Sequence, residues 1–458
     1  MNEAKQKFHL TSLERAWILY DVGNSAFVLL VATLIPIFFN ALAEGGGLSS
    51  VEYLAYWGYA ASAVTVITAV LSPILGTLAD TRNFKKPIFT FCVAVGVIGC
   101  CAMGMASTWL PFLLIFIFAK VGFSGSLVFY DSMLSDVTVP DRMDEVSSKG
   151  YAWGYIGSCV PFVVCLALVL GAGSIGISQM TALNLALFIT AAWWLVTTLP
   201  LLRQYKQVHF VEVQEHAIRQ SFARIGHTLR HLKEDRQVFW FLLAFFCYID
   251  GVYTIIDMAT AYGTALGLDT TGLLLALLVT QIVAFPSALV FGRLSGQYPS
   301  GTLIPVCIAA YAGIALFAFF LKHQWQFWVL AVVVGMFQGG IQALSRSHFA
   351  KIIPPEKSDI SVPSVFLSPV SALLFPSGSS AVFPSSAAFS AASSARRSSN
   401  FPASIFLYIS TTFPAGPSAI NSPLCSSTTL SQYLMILPIS WVTIRMVVPF
   451  LRISSILR

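Results

Sequence analysis

Charge is what this 458-residue chain has least of: only 10% of its residues are Asp, Glu, Lys or Arg, against roughly 25% in a soluble domain. With 56% apolar residues and a mean hydropathy of +0.77, it cannot cover its own apolar surface in water, so it belongs in a bilayer. The apolar runs lack the alternation of barrel strands, which leaves helices as the way to satisfy every backbone group in lipid. The opening "MNEAKQKFHLTSLERAW" has no small-residue cleavage site and is too polar for a signal peptide, so the first span is expected to stay as an anchor. The eight cysteines show no C-x-x-C spacing, which points to buried thiols rather than disulfides or a metal site. No H-E-x-x-H, G-x-S-x-G, Walker loop or His cluster occurs, so metal-assisted hydrolysis, acyl transfer and nucleotide-driven pumping have no residues to carry them. Neither an enzyme nor a cofactor is expected.

What is present is length. Ten apolar runs are each long enough to cross a roughly 30 Å hydrocarbon core as a helix: residues 17 to 40, 51 to 78, 87 to 107, 109 to 134, 150 to 172, 179 to 201, 237 to 266, 271 to 295, 300 to 321 and 325 to 348. Of the Lys and Arg before residue 358, nineteen fall in alternate polar segments, beginning with the N-terminus, and only Lys322 falls in the segments between them. This is a positive-inside pattern, with the N-terminus and central loop cytoplasmic and loops such as "ALAEGGGLSS" outside. The net charge of +6 therefore faces lipid headgroups and not nucleic acid. The expected location is the inner membrane of a bacterium.

The spans repeat. "GTLAD" begins at Gly76 and "GRLSG" at Gly292, each after the second span of its half. "VPDR" and "PPEK" follow the fourth span of each half, and the spacings from Gly76 to Pro140 and from Gly292 to Pro355 are 64 and 63 residues. Internal repeats of this kind, joined by a basic loop, are the layout of rocking transporters. The expected organisation is an N-terminal six-helix half at 1–202, a linker at 203–236 that is either a surface amphipathic helix or a solvated strand of charge, and a second half at 237–357 with four spans. Setting Leu134 against Phe349 in the repeat places Asp131 opposite Arg346.

Residues 358–458 read differently. They hold 25 Ser and 10 Pro, with no Lys, and no acid beyond Asp359. Either the reading frame slips near Ser358, or the segment is a low-complexity tail; the loss of acids and lysines favours the slip. Gln432 to Leu451 is apolar enough to insert, although Arg445 at depth costs about 2.5 to 3.5 kcal/mol.

"GTLADTRNFKK" resembles the loop between helices two and three of the major facilitator superfamily, with Asn83 where a glycine is usual; Asn tolerates the same left-handed turn. "LYDVGNSAF", "LADTRNFKKP", "FYDSMLSDVTVPDRMDEVSSKGYAWGYIGS" and "CYIDGVYT" together resemble bacterial relatives of the autophagy-related vacuolar effluxers, over about Trp17 to Lys357. The resemblance implies an all-α fold of two pseudo-symmetric six-helix halves, the second here incomplete. It implies a secondary transporter of a small molecule, with amino-acid efflux as the family's suggestion. A monomer is expected, and a carboxylate in a low-dielectric cavity, its pKa raised, offers a seat for a coupling proton. A scaffold of the same fold that transports nothing is the competing reading. Charges inside spans are costly and therefore functional candidates. The resemblance places Asp21, Asp131, Asp250, Asp257 and Arg346 toward the central path, with Asn24 beside them. It gives Asp80 a bridging role toward the start of an eleventh helix, and puts Arg82, Lys85 and Lys86 in a conformational-switch loop with Gly76, Asp136 and Arg142. Ser25, Tyr253 and Thr254 offer neutral hydrogen bonds, and Trp153 and Tyr155 apolar contacts. With no credible eleventh or twelfth span, Asp80 lacks its partner and the product is expected to be impaired.

Overall fold

A computed structural model describes residues 9–210, 270–352 and a subset of 241–269. Asp250, Asp257, Thr254, the side chain of Asp80, the linker from residue 211 onward and the tail with Gln432 to Leu451 lie outside the described residues. Among those described, nine helices are long and apolar enough to cross a membrane. They are α1 (Ser12–Ala32), continued beyond Thr33 by Leu34–Gly45, α2 (Ser50–Asp80), α3 (Lys85–Met103), α4 (Trp109–Ser132), α5 (Met143–Leu170), α6 (Gln179–Gln204), α7 (Thr270–Leu294), α8 (Ser300–Phe319) and α9 (Gln324–Ile352). The remaining expected span, 237 to 266, is helical at its described positions.

Local chemistry sets the helix ends. Thr11 and Ser49 each form a capping box, with Glu14 and Glu52 as the reciprocal partners, satisfying amides that the first helical turn leaves open. The break at Thr33 has a visible cause: its hydroxyl donates to the Leu29 carbonyl at 2.6 Å, a back-bond that bends helices. Asn83 adopts φ +64° between α2 and α3, the left-handed turn expected at that position.

Several boundaries differ from the sequence reading by about a helical turn or more. Residues 41–45, read as loop, continue the first membrane helix. The fifth span starts at Met143 instead of residue 150, directly after a 3-10 turn at Pro140–Arg142. Asp144 and Glu145 occupy its first turn, where a carboxylate suits the helix dipole, and Met143 and Val146 are buried. What looks polar in sequence is a helix start with an apolar inner face.

The buried side chains fall into two large cores. One is built from residues between Ala16 and Tyr205, around Trp17, Phe27, Phe89, Phe112 and Trp194. The other runs from Phe241 to Phe349. Between them lies a small cluster of Ala152, Tyr155, Ala284 and Ala288. Here α5 of the first half meets α7 and α9 of the second, and the backbones come close because the residues are small. A Cβ on Gly292 would sit 2.7 Å from the Cβ of Ser148, and one on Gly339 would sit 2.7 Å from the Cβ of Ala288 and 3.1 Å from the Tyr155 ring.

Candidate functional site

The seam between the halves is zipped at one end of the bundle, the end that carries Arg82, Lys85, Arg142, Arg293 and Lys351. We call it the basic end. α5 leaves this end and α9 arrives at it, so their side chains pair antiparallel. Lys351 Nζ donates to Asp144 Oδ2 at 2.6 Å, Ser147 Oγ to the Ala343 carbonyl at 2.9 Å, and Tyr155 Oη to Gln342 Oε1 at 2.5 Å.

Arg346 is the centre of it. From the last turns of α9 it reaches into the first half, where Nη1 lies 3.3 Å from Asp131 Oδ1 on α4 and Nη2 lies 3.4 Å from Asp21 Oδ2 on α1. Nε donates to Ser147 Oγ at 2.9 Å and Nη2 to the Ser147 carbonyl at 3.1 Å. Three rings surround the guanidinium: Tyr151 at 4.2 Å, Trp17 at 4.7 Å and Tyr130 at 5.5 Å. Planar, delocalised and weakly hydrated, Arg suits such a cage where Lys does not. Its side chain is only 8% exposed, Asp21 7% and Asp131 38%. Asn24 Nδ2 donates to Asp21 Oδ1 at 3.3 Å, steadying that carboxylate. Two carboxylates face one guanidinium, so with both ionised the cluster carries one excess negative charge, room for a proton or a cationic group.

The site depends on an absence at position 150. A Cβ there would sit 2.7 Å from Asp21 Oδ2, 3.0 Å from the Trp17 ring and 3.2 Å from Arg346 Nη2. Ser147, Gly150 and Tyr151 went unnoticed in the sequence because they fall in, or at the edge of, the stretch read as a loop. The spacing Ser147, Gly150, Gly154, small residues at helical intervals, is the signal that could have found them. Of the other sequence candidates, Trp153 is half exposed and makes an edge contact with Phe285 of α7 at 5.6 Å. A Cβ on Gly154 would lie 2.8 Å from Ser25 Oγ. Tyr253 is exposed.

A second polar cluster sits on the basic face of the first half. Gly76 is buried in α2, ahead of the turn at Asn83. Asp136, with no exposed side-chain surface, accepts from Lys85 Nζ at 3.1 Å, from Tyr205 Oη at 2.5 Å, and from both the backbone amide and Nδ1 of His209, at 3.0 and 2.8 Å. Burial alone would raise the Asp136 carboxyl, but the Lys85 ammonium and the Tyr205 and His209 donors outweigh it and hold it below the usual carboxylate range. The chain leaving α6 is thereby strapped over the turn between α2 and α3. Lys86 Nζ reaches the Tyr205 carbonyl at 3.4 Å, Gln207 Nε2 donates to the Ala79 carbonyl at 3.0 Å, and Arg82 lies 5.0 Å from the centre of the Phe210 ring. Arg142 joins Glu14 at 2.7 Å and the His9 carbonyl at 2.8 Å. Asp136 thus binds within its own half, as does Arg142, whereas Arg346 bridges the two.

The comparisons with known proteins agree with this architecture. The family described as "Vacuole effluxer Atg22 like" matches residues 12–359. The MFS-type transporter YxiO of Bacillus subtilis is 42% identical over 349 residues, covering 75% of this chain and 82% of that protein. Autophagy-related protein 22 of Coccidioides immitis is 26% identical over 267 residues, which span 48% of this chain and 43% of the fungal protein. Among solved structures, a bacterial homologue of the iron transporter ferroportin in an outward-facing state aligns with a TM-score of 0.53 at 16% identity, over 95% of this chain and 98% of that one. The proton:xylose symporter XylE aligns with a TM-score of 0.53 at 12% identity, over 80% of this chain and 88% of its own. At such identities the structures speak for the fold alone. With the family match over most of its length, a bacterial relative named as an MFS-type transporter, and two helical halves meeting at a seam, this chain belongs to the Atg22-like vacuole effluxer family as a transporter of the major facilitator type.

Proposed function

We propose that this protein is a secondary transporter of a small solute that works by rocking its two halves, with the basic end cytoplasmic and closed in the state described here. One observation carries the reading: a buried cation of the second half is held by two carboxylates of the first. Such a contact exists only while the halves are together at this end, so its making and breaking can be coupled to exposure of the path between them. The excess carboxylate of the cluster is the natural seat for a coupling proton or for a cationic group of the solute, since a buried charge demands a counter-charge. The family resemblance supports amino-acid efflux as the first substrate class to examine. Asp250 and Asp257 remain candidates for the path.

By the repeat, the second half carries four of its six expected spans before residue 358, and the tail beyond lies outside the described residues. The family match ends at residue 359, close to where the acids and lysines stop, which supports a slipped reading frame. We propose that the chain carries transport only when completed to twelve spans. The test uses a version with the frame corrected near Ser358, reconstituted into vesicles and offered a panel of radiolabelled amino acids and other small solutes, with and without an imposed pH gradient. Saturable flux that Arg346→Gln abolishes supports the proposal. Absence of saturable flux for every solute, from well-folded completed protein, overturns it, as does full flux in Arg346→Gln.

A further inference from the structure

The seam holds a cavity that the transport reading leaves without a use. It has a volume of about 270 Å³ and lies at the basic end, between the first turns of α5 and the last turns of α7. Glu145, Ser148 and Lys149 line it from the first half, and Leu289, Gly292 and Arg293 from the second. The hydroxyl of Ser148 is fully buried and has no hydrogen-bond partner, a state that costs desolvation with nothing in return unless a ligand completes it. Lys149 takes up the charge of Glu145 at 2.8 Å along its own helix. Arg293 is exposed and forms no ion pair among the described residues. With two cations against one carboxylate, the walls carry one unit of positive charge in excess.

We propose that this cavity binds an anionic phosphate group, supplied by a lipid headgroup or by free phosphate, which Arg293 of one half and Ser148 Oγ of the other hold by donating hydrogen bonds. The planar fork of Arg matches phosphate oxygens in pairs. The volume lies just under the roughly 300 to 1,000 Å³ usual for pockets that take larger organic ligands, which suits one compact tetrahedral anion. Gly292 is required for the fit, since a Cβ there would sit 3.1 Å from the Ser148 hydroxyl. Because each half supplies one side of the site, the anion binds only when the basic end is closed. It therefore acts as a clamp, and at ten times its Kd it raises the closed-to-open ratio about tenfold.

The inference rests on the reading that the halves separate at this end, and the test tells the two apart. Spin labels carried on non-natural amino acids at Asp141 and Gln297, exposed positions beside the start of α5 and the end of α7, report the distance across the seam in the full chain. It is measured in phosphatidylcholine vesicles, in the same vesicles with millimolar inorganic phosphate, and in vesicles of equal parts phosphatidylcholine and phosphatidylglycerol. The expected result is a growth of the short-distance population in at least one of the last two conditions, which names the source, and its loss in both Arg293→Gln and Ser148→Ala. Two populations that ignore both anions overturn the clamp, and so does a shift that survives Arg293→Gln, because that is bulk surface charge. A single population under all conditions overturns the clamp and the rocking reading together.

Discussion

Replacing Arg346 by Gln removes the charge that joins the halves while keeping a polar, though shorter, side chain. The structure apportions the cost unevenly between its two partners. The Arg346 and Asp21 side chains are 8% and 7% exposed, so their contact is a buried charge pair, and breaking one by removing a partner costs about 3 to 5 kcal/mol. Asp131 is 38% exposed, and solvent screening reduces its share to about 0.2 to 1 kcal/mol. On the proposed rocking motion the loss falls on the closed arrangement alone, since parting of the halves would release the guanidinium. At about 1.4 kcal/mol per tenfold, Arg346→Gln should lower the closed-to-open ratio by a hundredfold or more. Asp21→Asn, which removes one charge-assisted hydrogen bond worth about 1.5 to 3 kcal/mol, should lower it by roughly ten to a hundredfold. Asp131→Asn should change it by no more than about fivefold. Distance measurements across the seam between Asp141 and Gln297 give these ratios directly. An unchanged ratio in Arg346→Gln refutes the reasoning, and a larger effect for Asp131→Asn than for Asp21→Asn refutes the burial argument behind it.

Other outcomes can be checked alongside. Gly292→Ala drives a methyl group to 2.7 Å from the Ser148 side chain, and such overpacking costs about 1 to 3 kcal/mol, so the same distances should show the basic end opening while thermal unfolding of each half barely moves. Asp136→Asn strands the Lys85 ammonium, which is 4% exposed, and should lower the unfolding midpoint in detergent by an amount equivalent to about 3 kcal/mol. The Asp136 carboxyl is held below its ordinary range near 4, so its stabilisation is complete above that pH and is lost only as pH falls through the depressed value. A midpoint in the parent protein that drops between pH 8 and 5 and stays level in Asp136→Asn would contradict this. Tyr155→Phe leaves the buried Gln342 Oε1 without its 2.5 Å donor, and should cost the closed state about 1 to 3 kcal/mol, seen as a shift in the same distance ratio.

The spans were legible because lipid imposes one rule on every backbone group, and run length alone reports it. Asn83 was legible because few residues accept the φ of +64° at that turn. The start of α5 was not, since Asp144, Glu145 and Lys149 make a polar segment whose buried face, Met143 and Val146, shows only once the helix is packed. The repeat set Asp131 opposite Arg346, and the two lie 3.3 Å apart. The small-residue spacing Ser147, Gly150, Gly154 hinted at a close helix contact, but that the rings of Tyr151 and Trp17 enclose a guanidinium there was not readable, because the cage is made by side chains from four helices. Asp136 shows the same limit: its charge was visible, but His209 and Tyr205, about seventy positions later in the chain, come to it only through the fold.

The two separate cores divide the labour of mutation. The two large cores each draw their buried residues from one half, and the halves mix only in the small cluster of Ala152, Tyr155, Ala284 and Ala288, whose alanines offer little to grip. Damage around Trp194 or Tyr311 should therefore register as yield, in less protein reaching the membrane. An exchange at Ala284 or Gly339 should leave the amount untouched and, if the halves rock as proposed, alter only the tempo of that motion.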